Sequence, residues 1–573
     1  MMSRSRTNVS IKFLGPLFFC AVFIIGSSLL FHHKSHSRCY RSSTLQRSVI
    51  RSPPGGRFYS HTEYSNPLIL PHIRHGCCRR GVKFVKCEGA NDNMAKDDHA
   101  ATSEISEKGR NSMETKETED DEFVDKDAEG KPGSIPHRHL SMRVEVVRSI
   151  HAIQSSEWDS LLASDDSPFL EHDWLRCLED SGSVSGSNGW YPFHLVVREV
   201  KDESAPQLSK PSSLSSSSPG GTALSSSEPG RLLAVVPMYA KTHSMGEFVF
   251  DQSWAEAAYY QLGIEYYPKL LAAIPFTPAT GKRIITHPDV DRPSLLRTCA
   301  GVMEKLAVSN DFSSVHILFC EEDEATQTKT NGYLIRNSVQ NHFENKNPLT
   351  GSKFGSFDEY VATLKPNRRK ALRRERKKIY NEEGINLTIY EGDEVTPEII
   401  DTAYELYSST VEKFTFQKQY LNKDFFTRIQ ESNFRRHLVV VLARRGNKTI
   451  GGTFNVQKGD TLYGRYWGCF EEVPYLYFEA CYYRLIQHVI EKNMTRMEAG
   501  AGSSGGGKLL RGFDASITRS SHYIHNPNLR VAVSAFLEAE TAAIEEQKDL
   551  MNENMGAFKS SLATGPRKSE EEC

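Results

Sequence analysis

Apolar residues recur with the periods of packed strands and helices only between residues 142 and 550. The first half of that span reads as a strand at 144–147, helices at 156–163 and 169–180, strands at 193–200, 232–240 and 247–250, a helix at 294–307 and a continuous apolar strand at 315–320. The second half is sharper. Residues 385–390 alternate as a strand, 397–413 form an amphipathic helix with Pro397 at a favoured first-turn position, and a shorter helix covers 423–431. Strands at 437–443, 449–456 and 461–470, joined by turns at 445–448 and 458–460, predict an antiparallel meander. A helix at 475–492 and a strand at 496–499 follow, with more strand beyond.

Both passes run in the order β-α-α-β-β-β-α-β. No parallel βαβ series with a Gly-rich first turn appears, which excludes a Rossmann arrangement. An antiparallel sheet ending in a β-α-β crossover fits the GNAT-type acyltransferase fold. The expectation is therefore a mixed α+β chain of tandem GNAT-like acyl-CoA N-acyltransferase domains with largely antiparallel sheets, at 142–350 and 351–550. A Ser/Pro-rich insertion at 201–230, expected to be disordered, interrupts the first.

The flanks are different material. Residues 13–31 are 19 uncharged, mostly apolar positions, long enough as a helix to reach about 28 Å, close to a bilayer core. Residues 32–87 hold eleven Lys/Arg against one acid, Glu63, with many serines. That composition suits an organelle transit peptide, so 1–87 is expected to be a targeting leader to the plastid (chloroplast), with a membrane anchor through 13–31 as the alternative. An acidic stretch at 88–141 reads as a solvated, disordered linker, and 551–573 as a loose tail. The balance of 70 Lys+Arg against 72 Asp+Glu excludes a globally basic nucleic-acid binder, though not a local basic patch. Of 11 cysteines, five fall in the leader segment and none has zinc-ligand spacing, so neither a disulfide scaffold nor a metal is expected.

Candidate chemistry gathers in the second half. On the strand at 461–470, Tyr463, Arg465, Trp467 and Cys469 should share one face and Gly464 and Gly468 the other, with Gly468 a device for the close approach of a ligand or backbone. Glu479 has Tyr475, Tyr482 and Tyr483 at helical neighbour positions. A carboxylate desolvated by rings has a raised pKa and can take a proton from an amine, or it is a structural group bonded to tyrosine hydroxyls. Glu498 is the rival base. The loop from Gly500 to Gly507 with Lys508 aims backbone amides and a cation at phosphate or oxyanion, or is a plain turn, and Arg511 follows as a second anion clamp. It is not a Walker loop, since Leu509 stands where the magnesium-binding Ser/Thr is needed. Residues 365–378 carry nine basic residues in fourteen positions, opening at Pro366, with Arg369, Arg373 and Arg376/Lys377 along one side. That stripe suits CoA phosphates, a tRNA or plain solvent.

Six segments carry a family resemblance: 237–254, 275–283, 368–376, 462–469 (Leu-Tyr-Gly-Arg-Tyr-Trp-Gly-Cys), 478–483 and 508–513 (Lys-Leu-Leu-Arg-Gly-Phe). Through them the chain resembles a family of GNAT-type N-acetyltransferases and "peptidoglycan biosynthesis/recognition" proteins of bacteria and plants, similar in fold to Fem-type aminoacyltransferases. The chain departs from the family pattern at Tyr477, where histidine is usual, and in the Gly-rich loop. The resemblance implies an N-acyltransferase with acyl-CoA (acetyl-CoA) as donor and a small-molecule or peptide amine as acceptor. In that reading Glu479, Tyr482 and Glu498 are catalytic, and Arg465, Trp467, Gly468, Lys508, Arg511, Arg369 and Arg373 hold the donor. A Fem-like enzyme taking aminoacyl-tRNA, with tRNA as partner, and a non-catalytic binding module on the same scaffold remain the alternatives.

Overall fold

The computed structural model describes residues 141–200, 230–413, 419–500 and 506–559. All of them fall in the unit Val82–Cys573. The expected leader with its apolar segment 13–31, the acidic linker, nearly all of the insertion at 201–230, positions 501–505 of the Gly-rich loop and the last residues of the tail lie outside the described residues. Among the described residues no helix is long and apolar enough to cross a membrane.

The first half contributes β1 (Met142–Val147), β2 (Trp190–Pro192), β3 (His194–Glu199), β4 (Leu232–Val236), β5 (Met238–Lys241), β6 (Lys269–Ala272), β7 (Ile285–Thr286), β8 (Ser314–Cys320) and β9 (Leu334–Glu344). The second contributes β10 (Ile385–Glu391), β11 (Leu438–Arg445), β12 (Lys448–Lys458), β13 (Thr461–Cys469), β14 (Arg496–Glu498) and β15 (Asp514–Ile524). Strands β1, β3, β4 and β7 form a small sheet. The others form one sheet in the order β10-β11-β12-β13-β14-β9-β15-β8-β6-β5-β2. The class is mixed α/β with mainly antiparallel pairing, in two halves.

The two halves repeat one device. A short parallel pair of three residue pairs closes each crossover: β6 with β8 around the helix Arg292–Ser309, and β13 with β14 around the helical run from Leu476 to Glu491. The last strand of each half has crossed over. β9 lies between β14 and β15, and β15 between β9 and β8, so each half borrows the other's last strand. The two exchanged strands pair with each other from Asp514↔His342 to His522↔Leu334.

The meander matches its expected order, because alternation and Gly/Asn/Asp turns act locally. Its first strand, β11, is sealed on both faces, with Leu438 to Ala443 fully buried. The first half departs in two places. The run 232–240 is two strands: Pro237, lacking an N–H, ends β4 in the small sheet and lets β5 join the large one. No strand forms at 247–250, where Gly246 and Phe248 take positive φ (80° and 59°) and Glu247 turns inward to Lys269 at 2.8 Å. Sequence reading also does not mark β6, β9 or the helix Pro527–Met555, whose Leu529, Val533 and Leu537 pack with Trp254 and Ile524.

Candidate functional site

The candidate site forms where the second parallel pair stops. β13 meets β14 only at Thr461↔Arg496, Leu462↔Met497 and Tyr463↔Glu498. Beyond Tyr463 the two chains part, and among the described residues β13 from Gly464 onward has no strand partner on that side. A register shift falls at the fork, with Asn455 opposite Gly464 and Phe454 opposite Tyr466. Arg465 is the extra residue of this bulge. Gly500 takes φ 71°, and a Cβ there would lie 2.9 Å from the Gly464 carbonyl, so glycine is required where the branches diverge.

The bulge resets the faces of β13. Tyr463 and Tyr466 pack into the core shared by the two halves, whereas Leu462 and Trp467 belong to clusters against the other face. Tyr463, Arg465 and Trp467 therefore do not share a face as plain alternation suggests. Arg465 reaches across to the first half, donating to Phe276 O and standing 5.2 Å from the Phe169 ring centroid. Trp467 packs edge-to-face on Tyr477, centroids 5.6 Å apart. At Gly468 a Cβ would sit 1.8 Å from the Leu406 carbonyl oxygen, so this glycine admits the backbone of the helix Pro397–Glu412 rather than a ligand.

Glu498 ends β14 at the fork. It is 4% exposed, and burial pushes its carboxyl up to about 7 against the opposing pull of Arg496. Its register neighbours across the sheet are Tyr463, His342 and, one strand further, Asp514, so these side chains share one face. The first half covers that face with the loop 275–283. The loop holds its own shape through Arg283, which donates to Ala279 O at 2.6 Å and Gly281 O at 2.8 Å. From it the Thr280 amide bonds the Glu498 carboxyl, and Pro278 O accepts from Gln340 at 3.0 Å. The segment 275–283 is visible in the sequence as a motif, but nothing there says that it completes a site in the other half.

Lys508 follows the Gly-rich loop. It is 3% exposed, donates to Gly500 O at 3.2 Å, and is drawn down to about 8 by burial. Arg511 turns inward instead of facing the fork. It pairs with Glu375 at 2.9 Å, donates to Gly507 O at 2.8 Å and lies 3.5 Å from the Phe478 ring centroid, which ties the loop end to the basic helix.

Glu479 is buried at 1% exposure, as expected, but among more than rings. Oε1 accepts from Tyr380 at 2.8 Å and pairs with Arg376 at 3.1 Å. Burial raises its carboxyl and Arg376 opposes the rise. The group clamps the helix Pro366–Lys377 to the helical run behind the fork. Tyr482 bonds Tyr477 hydroxyl to hydroxyl at 2.9 Å, and burial raises it strongly. With Arg376 turned inward and Arg369 half-buried on Ala362 O, the solvent-facing cations of that helix are Lys370, Arg373, Arg374 and Lys377, spaced i, i+3, i+4 and i+7 on one face.

The chain matches a family model described as FemAB-like, peptidoglycan biosynthesis/recognition, over residues 149–560. No curated protein matches it. Among solved structures it is similar to FemX, at 12% identity over 67% of this chain and 98% of that one, TM-score 0.39. It is also similar to L-PGS from Bacillus licheniformis, at 8% identity over 53% and 86%, TM-score 0.32. A tandem GNAT protein from the clavulanic acid biosynthesis pathway matches at 10% identity over 67% and 99%, TM-score 0.32. The family model spans most of the chain's length, so the chain belongs to the FemAB-like family.

Proposed function

We propose that this protein transfers an acyl group from an activated carrier, acyl-CoA, to an amine. The observation that carries the reading is the fork at Tyr463–Glu498, with a near-neutral carboxyl at its base and a buried lysine where the Gly-rich loop returns.

The unpaired edge of β13 offers backbone N–H groups to the acyl carbonyl, as a strand would, and Lys508 supplies positive charge beside them. The acceptor amine gives its proton to Glu498, whose raised affinity for protons suits that exchange near neutral pH. The neutral nitrogen then bonds to the acyl carbon, the carbon–sulfur bond breaks with its electron pair leaving on sulfur, and the thiolate takes the second proton that the nitrogen sheds, giving the amide and the free thiol. Glu479 keeps a place in the design as the anchor of Arg376, with Tyr482 and Trp467 walling the fork.

The test uses the full chain. Acetyl-CoA and CoA should raise the melting temperature, and acylated products should appear by mass spectrometry from a panel of amines. Glu498→Gln should reduce turnover about 100-fold or more. Absence of binding by any acyl-CoA at millimolar concentration refutes the CoA donor.

A second reading, an aminoacyl-tRNA donor, is favoured by the four exposed cations on one helix face. It expects tRNA binding that weakens steeply with salt and is lost on charge reversal of Arg373 and Arg374. For location the proposal is the plastid, supported by the acid-poor composition of 32–87. A fluorescent fusion of residues 1–100 checks it.

A further inference from the structure

Lysines on the surface of the second half are commonly paired: Lys378 with Glu383 at 2.9 Å, Lys423 with Asp401 at 3.0 Å and Lys492 with Glu391 at 3.1 Å. The helix Pro366–Lys377 breaks that habit. Its exposed cations, Lys370, Arg373, Arg374 and Lys377, have no ion pair among the described residues. The one acid of the helix, Glu375, is turned inward onto Arg511 at 2.9 Å. Arg368, half-buried on the same helix, leaves its Nε without a partner.

Four like charges spaced three and four residues apart repel one another on a helix surface. The helix dipole offsets this for Arg374 and Lys377 near the C-terminus but not for Lys370 and Arg373. A bare face of this kind costs stability, and a held counter-charge removes the cost.

The chain carries that counter-charge itself. Its net charge is -2, so the cations of this face are balanced by acids elsewhere in the sequence. Residues 114–122 hold six acids and one lysine in nine positions. Nineteen peptide steps lead from Glu122 to Ser141, where the described residues begin. At about 3.4 Å per step they reach about 65 Å, whereas a compact body of about 400 residues is about 55 Å across. A segment tethered within reach acts at an effective concentration of about a millimolar, which favours it over a weak ligand free in solution.

We infer that residues 114–122 of this chain dock on the cationic face of the helix Pro366–Lys377 and compete there with polyanions arriving from solution. The inference goes beyond the acyl-transfer reading and does not depend on it. The apolar pair that follows the run, Phe123 and Val124, has a seat at the end of the same face. Arg374 stands 5.8 Å from the Tyr475 ring centroid, and two positions on Tyr477 is 41% exposed.

The test is carbodiimide crosslinking of the full chain, which joins carboxyls directly to amines, read by mass spectrometry. At about 50 mM salt Lys370 and Lys377 should crosslink to carboxyls within 114–122, and at about 500 mM the yield should fall fivefold or more. Arg373→Gln combined with Arg374→Gln keeps both reactive amines, so a similar loss in that variant reports charge alone. In a mixture of isotope-labelled and unlabelled protein the crosslinks should stay within one chain. Bulk tRNA is the probe polyanion. Replacing the six acids by Asn and Gln alters none of the described residues and should tighten tRNA binding tenfold or more at about 100 mM salt. Absence of crosslinks from Lys370 and Lys377 to 114–122, crosslinks only between chains, or tRNA binding unchanged by the six substitutions overturns the docking.

Discussion

Replacing Glu498 by glutamine should make the protein more stable and less active at once. The carboxyl is raised from 4.5 in the open chain to about 7 in the folded one. The folded state therefore holds its proton where the unfolded state has released it, and folding weakens as pH rises through that window. Below pH 4.5 both states are protonated and the cost vanishes. Above 7 it is complete, about 3 kcal/mol from 2.5 pH units at about 1.36 kcal/mol each. Glutamine mimics the protonated acid and can still accept from the Thr280 amide. Denaturant unfolding of the two proteins should thus differ by under about 1 kcal/mol at pH 5 and by about 3 kcal/mol at pH 8, glutamine being the more stable. Glu247 and Glu324 are also pushed up to about 7, but they titrate identically in both proteins and cancel in the difference. Transfer activity should fall about 100-fold or more in the same variant. A stability difference that is the same at both pH values, or a glutamine variant less stable at pH 8, shows that Glu498 is neither dry nor poised, and the choice of base fails with it.

Other consequences are sharper in one measurement each. Gly468→Ala places a methyl 1.8 Å from the Leu406 carbonyl, so the helix must move and the loss should reach about 3 kcal/mol by denaturant unfolding. Arg376→Ala leaves Glu479 buried without its cation and should cost about 3 kcal/mol, most of it recovered in the double variant with Glu479→Met. Because Lys508 loses its charge above about 8, calorimetric affinity for CoA should drop between pH 7 and pH 9 in the wild type and stay flat in Lys508→Met.

The residue pattern alone determined the elements whose determinants are local. The meander β11–β13, the helices Pro397–Glu412 and Lys423–Glu431 and the crossover helix all follow from apolar period and turn chemistry, and their order implied the acyltransferase topology. The burial of Glu479 was legible in the same way, since helical spacing puts rings beside it. The sequence could not show that Arg376 claims that carboxylate, because their contact joins residues more than a hundred positions apart.

The central position of two strands was hidden for a physical reason. β9 and β15 run through the middle of the sheet, yet they carry Arg336, Gln340, His342, Thr518 and His522 where an ordinary buried strand carries valine and isoleucine. Some of their polar groups find partners in the other half, as Arg336 does in Glu540 and His522 in His316, so no window of either strand looks like core. Only the tertiary fold exchanged those strands between halves, brought the loop 275–283 onto Glu498, and turned two motifs some two hundred residues apart into one site. Hydrophobic periodicity reports which face of a segment is buried, but it carries no record of what that face is buried against.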